Sequence, residues 1–233
     1  MAVSYFVLFE GQPANGVEPF ARAFCNRYEG ILRRLPGVGS ILVYTPETYH
    51  DPMLQDDAGP ALLVRVTFPT LERLESSLRS KTAVLDFAKF VASIGFRGRV
   101  RDEIMQVTQY PVADDPDGKA PSGPASYYVF YQGPAQDRRA FIGYYEKNHP
   151  PLLGLLPDIR TTILYTPTDR EPPLDVTHAG HILICDVSFA TNDALNAALA
   201  SQVRKDLRDD YNKFPKFEGP VVHQAMKRLV IKA

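Results

Sequence analysis

The sequence contains no tryptophan and only two cysteines among its 233 residues. Cys25 and Cys185 are far apart, and neither has a second cysteine or a histidine at the spacing of a zinc site. The sequence therefore predicts no metal centre of this kind. An excess of one charge is also lacking, because the net charge is −1 and no basic stripe is present. This balance gives no reason to expect a nucleic acid as a partner.

Long apolar runs are missing as well. No segment approaches the roughly 20 apolar residues that span a membrane. The N-terminal MAVSYFVLFEG has no basic segment ahead of its apolar residues, so we interpret it as a first strand and not as a signal peptide. Hydrophobic residues make up 45% and charged residues 23%, which is typical of a globular protein. We expect a cytoplasmic protein with no membrane partner.

What the sequence does contain is an internal repeat, which is the first feature to look for in a chain of this length. A shift of 121 residues, with no gap from Phe20 to the C-terminus, places Phe20 on Phe141. The same shift places Tyr44-Thr45-Pro46 on Tyr165-Thr166-Pro167. This agreement predicts a tandem duplication.

Between the two copies lies PVADDPDGKAPSGPA, which is rich in Pro, Gly, Asp and Ser. This composition is typical of a linker. We therefore predict a first unit at residues 1–110, a linker at residues 111–125 and a second unit at residues 126–233.

Each unit has the pattern β-α-β-β-α-β, with Thr70 and Thr191 or Asn192 as N-caps of the second helices. This order predicts an α+β, ferredoxin-like unit, with a four-stranded antiparallel sheet and two helices on one face. The strand SYYVFYQ is apolar or aromatic on both sides, which indicates burial on both faces. We therefore predict that the two sheets pack face to face, with the helices outside.

The third strands of the two units carry one charge each on their mixed faces, Arg65 and Asp186, at positions related by the shift of 121. The wholly apolar faces should pack on the helices, so these charges should point between the sheets. A buried charge is costly unless it is paired. We predict a structural ion pair between Arg65 and Asp186.

The second unit carries a histidine followed by two prolines in its first helix, in YYEKNHPPLL. Pro150 and Pro151 have no backbone N–H to donate, so we expect the helix to kink or end near His149 and to restart at about Leu152. Such a kink would aim His149 between helix and sheet. In the first unit, Tyr28 stands at the position of His149.

An aromatic pair, then His-x-Pro, then a Leu-Pro turn before the second strand resembles the EthD family of dimeric α+β barrel proteins. The motif stands here as Tyr144 to Leu152, followed by Leu156-Pro157, and the resemblance covers the whole second unit. The first unit matches in outline, with Leu35-Pro36-Gly37, but it departs at Tyr28.

The resemblance implies a barrel of two such units, with small-molecule pockets between each sheet and its own helices. Relatives of this fold include cofactor-free monooxygenases, muconolactone isomerases, polyketide cyclases and haem-dependent peroxidases, so the fold does not fix a reaction. The His-x-Pro motif belongs by resemblance to the haem-free branch. We therefore expect no cofactor, and we do not expect haem.

We predict His149 and Tyr145 as catalytic residues, because an imidazole can move a proton near neutral pH. The structural alternative is a histidine that only hydrogen-bonds a freed carbonyl. Tyr128, Tyr165, His181 and His223 are predicted to bind substrate. The alternative for the tyrosines is an aromatic core, and for the two histidines it is a structural or rim position.

Two functional hypotheses follow. The first is a cofactor-independent enzyme, of isomerase, cyclase, decarboxylase or oxygenase type, that acts on a small oxygenated molecule of aromatic or polyketide character. The second is a binding or carrier protein with the same pocket and no chemistry. In either case we expect a small-molecule partner, one competent pocket in the second unit, and a possible homodimer of the whole chain.

Overall fold

The computed structural model describes residues 1–54, 59–78, 96–170 and 176–229, and these residues form nine strands and five helices. In chain order the elements are β1 (Val3–Pro13), α1 (Val17–Leu32), β2 (Ser40–Pro46), β3 (Leu62–Phe68), α2 (Leu71–Leu78), β4 (Phe96–Tyr110), β5 (Ala125–Gln132), α3 (Arg138–Leu153), β6 (Ile159–Pro167), β7 (Thr177–His178), β8 (His181–Phe189), α4 (Asn192–Leu199), α5 (Gln202–Tyr211) and β9 (Val221–Arg228). None of the described helices combines the length and the apolar character that crossing a bilayer requires.

Eight of the strands form a closed antiparallel barrel in the order β1-β3-β2-β9-β5-β8-β6-β4, and β4 closes it by pairing with β1. The ninth described strand, β7, has two residues and pairs in parallel with β4. Closure leaves these eight strands without an unpaired edge, which is where sheets otherwise associate. The predicted α+β class is confirmed.

Each half of the chain supplies four consecutive strands of the barrel. In the first half, β1 pairs with β3 and β4, and in the second half β5 pairs with β8 and β9. The halves join where β2 pairs with β9 and where β4 pairs with β6. The predicted face-to-face sheets are therefore also joined edge to edge. The duplication and the boundaries at 1–110, 111–125 and 126–233 stay predictions.

The barrel interior is an apolar and aromatic cluster to which both halves contribute. Its buried members are Phe6, Leu8, Tyr44, Leu63, Met105, Tyr128, Phe130, Ile163, Tyr165, Ala179, Ile184 and Met226. Two further clusters lie outside the barrel, one in each half, where helices cover the outer faces of the strands. Alternation of side chains along each strand separates the interior cluster from the outer two.

The predicted ion pair lies inside the barrel and is confirmed. Arg65 Nη1 lies 2.9 Å from Asp186 Oδ2, and the two side chains are 5% and 0% exposed. The same guanidinium donates to the Tyr128 hydroxyl at 3.2 Å and to the Tyr165 hydroxyl. Burial raises the pKa of Asp186, and the positive charge of Arg65 opposes that rise.

The predicted helix starts are confirmed, because the hydroxyls of Thr70 and Thr191 accept hydrogen bonds from backbone N–H groups three residues later, at 3.3 and 3.1 Å. The predicted break at the double proline is wrong. Helix α3 continues through Pro150 and Pro151 to Leu153. The helical ladder resumes after the prolines, since the Gly154 N–H bonds to the Pro150 carbonyl at 2.9 Å, and the buried face of α3 holds the helix on the sheet.

Candidate active site

A cavity of about 270 Å³ lies in the second half, between the sheet and helices α3 and α5. Strand β5 presents every second residue to it, as expected for a strand with one face toward the helices. The lining is largely apolar and aromatic, with a few polar groups. Its members are Leu54, Tyr127, Val129, Tyr131, Tyr145, His149, Leu153, Leu156, Cys185, Val187, Phe189, Leu195, Leu199, Arg204, Leu207, Arg208, Tyr211, Gly219, Val221 and His223.

His149 lies on the buried face of α3 and is 6% exposed. Its Nδ1 lies 2.8 Å from Oδ2 of Asp210, a buried carboxylate on α5. The other oxygen of Asp210 accepts a hydrogen bond of 3.0 Å from the Tyr144 hydroxyl. The rings of Tyr145 and Phe214 pack against the imidazole at 4.7 and 5.2 Å. These contacts fix the position of the ring.

The environment of His149 keeps it neutral near pH 7. Burial lowers the pKa of His149 to about 4, and the hydrogen bond that its ring donates to Asp210 opposes the shift without reversing it. Because the Asp210 carboxylate accepts a hydrogen bond from Nδ1–H, the neutral ring presents Nε2 as an acceptor. No described residue hydrogen-bonds to Nε2. The arrangement can therefore accept a proton from a molecule in the cavity.

The structure brings together three of the six predicted site residues. Tyr145, His149 and His223 line one cavity. Burial raises the pKa of Tyr145, so its hydroxyl stays protonated, and that hydroxyl interacts with Tyr131 and Cys185 on the cavity wall.

The other three predicted residues do not reach this cavity. Tyr128 and Tyr165 face the barrel interior and bind Arg65. On β5 it is Tyr127, one residue earlier, that faces the cavity, because successive side chains point to opposite sides of a strand. His181 lies elsewhere, with its Nδ1 2.6 Å from Glu103. The structure therefore places these three residues outside the cavity of His149, and a role for them in substrate binding stays a prediction.

Sequence reasoning missed a charged network on the cavity wall. Arg204 of α5 donates from Nη2 and Nε to Oδ2 of Asp51, at 2.9 and 3.2 Å. The Tyr127 hydroxyl donates to the same oxygen at 3.1 Å. Asp51 belongs to the first half, in the segment after β2, and its side chain is fully buried. The cavity of the second half is therefore completed by the first half.

We call residues 47–54, which carry Asp51, the strap. The Tyr49 hydroxyl donates to the His223 carbonyl at 3.1 Å, and Leu54 lines the cavity. Helix α4 fixes the strap from the other side, since Asn192 Nδ2 donates to the Thr48 carbonyl at 2.8 Å. The strap thus closes one side of the cavity.

One signal in the sequence could have found Asp210. At the shift of 121, His149 corresponds to Tyr28 and Asp210 corresponds to Lys89, so both members of the pair are missing from the first half. Tyr28 is 1% exposed and stacks on Phe24 at 5.1 Å between ring centroids. Lys89 lies outside the described residues.

Comparison with known proteins identifies other structures with this fold. No family model matches the chain, and no curated protein matches it. An anthrone oxidase-like protein of known structure is 13% identical, with a TM-score of 0.66 over 98% of this chain and 92% of that one. A candidate monooxygenase from Fusobacterium nucleatum is 12% identical, with a TM-score of 0.59 over 98% and 93%.

The chain has the dimeric α+β barrel fold. An EthD family protein from Bacillus halodurans, 20% identical, covers 43% of this chain and 94% of its own, with a TM-score of 0.36. A TM-score this low does not support a family assignment, so the EthD assignment stays a prediction.

The expectation that the protein has no cofactor and no haem is corrected by a further structure of this fold. A candidate chlorite dismutase is 10% identical, with a TM-score of 0.54 over 99% of this chain and 96% of that one. Chlorite dismutases are haem proteins, so the fold does accommodate haem. Our expectation was based on the His-x-Pro resemblance, and a shared motif does not determine whether a protein of this fold binds a cofactor.

The residues present fit a haem only in part. His149, with a carboxylate on its other nitrogen, is the kind of side chain that ligates haem iron. The cavity of about 270 Å³, however, is below the roughly 300–1,000 Å³ of sites for drug-sized ligands. A porphyrin macrocycle does not fit into it without displacement of lining side chains.

Proposed function

We propose that this protein is an enzyme that acts on a small, largely apolar, oxygenated aromatic molecule in the cavity of its second half. His149 accepts a proton from the substrate, and Asp210 holds the imidazole for that step. The single observation that carries the proposal is the buried His149–Asp210 pair, whose Nδ1 to Oδ2 distance is 2.8 Å, on the wall of an apolar cavity.

The geometry suits a proton acceptor for three reasons. The ring is neutral near pH 7, its Nδ1 is occupied by a carboxylate, and its Nε2 is left for the substrate. On proton transfer, Asp210 lies next to the imidazolium that forms and stabilises it. The proton passes from a C–H or O–H of the substrate to Nε2, and the electron pair stays on the substrate as an enolate or phenolate.

The lining indicates the class of substrate. The aromatic side chains Tyr127, Tyr131, Tyr145 and Phe189 surround a space with few polar groups, which favours a planar aromatic body. Solved structures of this fold include an anthrone oxidase-like protein and candidate monooxygenases, and these likenesses support a small-molecule enzyme. We therefore choose anthrone as the first molecule to test.

The experiment compares the wild type with His149→Gln in anthrone binding and in anthrone turnover followed by absorbance. We expect His149→Gln to lower kcat by about 100-fold or more, the usual contribution of a general base, with little change in Kd. His178→Gln is the matched control, because His178 is exposed and does not line the cavity. It should leave both quantities unchanged.

The result also separates an enzyme from a carrier. Saturable binding by the wild type with no turnover would favour the carrier hypothesis and contradict the proposal. Equal turnover by the wild type and His149→Gln would remove His149 from the reaction.

We further infer an EthD-like family membership and a tandem duplication, supported by the His-x-Pro motif and by the shift of 121. The two strand orders β4-β1-β3-β2 and β9-β5-β8-β6 correspond to each other element by element, which favours the duplication. A cytoplasmic location and a homodimer of the whole chain stay part of the same proposal.

A further inference from the structure

A second cavity opens at one end of the barrel, where β1 and β5 finish and β8 and β9 begin. Its volume is about 630 Å³. The apolar side chains of Leu8, Phe130 and Val222 lie on its barrel-interior side. Its other lining residues are Glu10, Gly11, Gln12, Gly59, Pro60, Arg99, Arg101, Gln132, His181 and Pro220. Mouths of β-barrels are a frequent place for ligand sites, and the proposed function above makes no use of this one.

His181 is fixed on the wall of this mouth by a buried carboxylate. Its Nδ1 lies 2.6 Å from Oε1 of Glu103, and its backbone N–H donates to Oε2 at 3.3 Å. The two side chains are 3% and 1% exposed. The described residues offer no partner to Nε2.

The charges that line the mouth do not balance. Arg101 pairs with Glu10 and donates to Gln132 at 3.2 Å and to the Ala179 carbonyl at 2.9 Å. Arg99 is 74% exposed and lies 3.5 Å from the same glutamate. One carboxylate therefore faces two guanidinium groups, and Arg99 is the one with room to turn toward a ligand.

The two halves of the chain contribute differently to this mouth. Arg99, Arg101 and Glu10 all come from the first half. At the shift of 121, Pro220 and Val222 of the second half stand where the first half has Arg99 and Arg101. The first half therefore supplies the arginines and the glutamate of the mouth, and Phe130, Pro220 and Val222 of the second half add apolar surface, which suits a molecule with one charged end and one apolar end.

We propose that the barrel mouth is a second binding site, and that it takes a small monoanion with an apolar body, such as an aryl or alkyl carboxylate. The apolar body lies on Leu8, Phe130 and Val222. The carboxylate meets Arg99, and the His181 imidazole lies on the same lining. The site does not depend on the proposed reaction at His149, because the two cavities share no lining residue.

The test follows the five histidine side chains of the ¹⁵N-labelled full-length protein by NMR during titration with benzoate, hexanoate and the neutral benzyl alcohol. We expect benzoate or hexanoate to shift the His181 imidazole signal to saturation, and benzyl alcohol to leave it unmoved. Arg99→Gln should weaken carboxylate binding by about fivefold, the upper range for an exposed ion pair.

Two control variants locate the effect. Arg160→Gln removes an exposed arginine of β6 that lines neither cavity, and it should bind as the wild type does. His149→Gln alters only the first cavity and should also leave carboxylate binding intact. The proposal is overturned if neither carboxylate shifts His181, if Arg160→Gln weakens binding as much as Arg99→Gln, or if His149→Gln abolishes it.

Discussion

At the scale of single residues, Arg65 and Asp186 show how the barrel interior accepts charge. Both side chains are almost fully buried, and their 2.9 Å contact is reinforced by the hydroxyls of Tyr128 and Tyr165. Desolvation of two charges is costly, so the pair itself adds little to stability, but removal of one partner leaves the other uncompensated. The role of the pair is structural.

We therefore expect Asp186→Asn to lower the free energy of unfolding by about 3–5 kcal/mol, measured by urea denaturation. The matched control is the double variant Arg65→Met with Asp186→Leu, which removes both charges and should lose less than the single variant. An Asp186→Asn protein as stable as the wild type would contradict a buried ion pair at this position.

His149 gives a prediction about pH. Its pKa is lowered from 6.5 to about 4 in the folded protein. Between these values the unfolded chain binds a proton that the folded chain does not, so the folded state loses stability as pH falls from 6.5 toward 4. From pH 7 to pH 5 the loss is about 2 kcal/mol, given roughly 1.4 kcal/mol for each pKa unit.

The measurement is urea denaturation at pH 7 and pH 5 for the wild type and for His149→Gln. The variant lacks the titrating group, so its stability should fall by about 2 kcal/mol less than that of the wild type over this interval. The comparison cancels the contributions of the other histidines. Equal pH dependence in the two proteins would show that the His149 pKa is not lowered.

At the scale of elements, the strap of residues 47–54 means that both halves of the chain contribute residues to the active-site cavity. Asp51 accepts from Arg204 and from Tyr127 while fully buried. We expect Asp51→Asn to lower the free energy of unfolding by about 2–3 kcal/mol, because hydrogen bonds to a charged group are lost. It should also weaken binding of any ligand in the cavity, since Arg204 and Tyr127 line it.

The control for the strap is His50→Gln, because His50 is exposed and the strap uses its backbone N–H, which donates to Asn196 at 2.9 Å. That variant should keep the stability and binding of the wild type. Denaturation and ligand titration of both variants test the idea. If Asp51→Asn behaved like His50→Gln, the buried contacts of Asp51 would contribute neither to stability nor to ligand binding.

Strand β5 explains why the site was predicted only in part. Its residues Tyr127 and Tyr128 point to opposite faces, and aromatic side chains occupy both faces of the strand, so alternation could not tell which face meets the cavity. Asp210 was missed for another reason. It lies 61 residues from His149 on a helix rich in exposed charge, where a carboxylate is ordinary unless the helix packing is known.

At the scale of the whole molecule, the order of elements could be predicted because strand alternation and the repeat agree along most of the chain. The closed barrel could be expected only from the resemblance. Edge pairing between the halves, such as that of β2 with β9, cannot be recognised in the sequence of either strand. The charges at Arg65 and Asp186 were predictable because burial demands a partner and the repeat placed them at equivalent positions.

The separated halves allow this pairing to be tested. Alone, residues 126–233 would leave the edges of β6 and β9 without β4 and β2, and unpaired edges associate. Two copies of this half can pair β6 with β9 twice, as β2–β9 and β4–β6 do in the whole chain. That dimer would place Asp186 opposite a second Asp186, with no Arg65.

We therefore expect residues 126–233 to form a weak dimer, which Asp186→Asn strengthens because it removes two like charges from a buried position. In the full chain the same substitution destabilises, so its effect should have opposite signs in the two proteins. Addition of residues 1–125 should restore Arg65 and convert the dimer into a tighter heterodimer. Light scattering and sedimentation equilibrium measure both associations. A monomeric, cooperatively folding 126–233 would show that the half does not need a partner to complete its barrel.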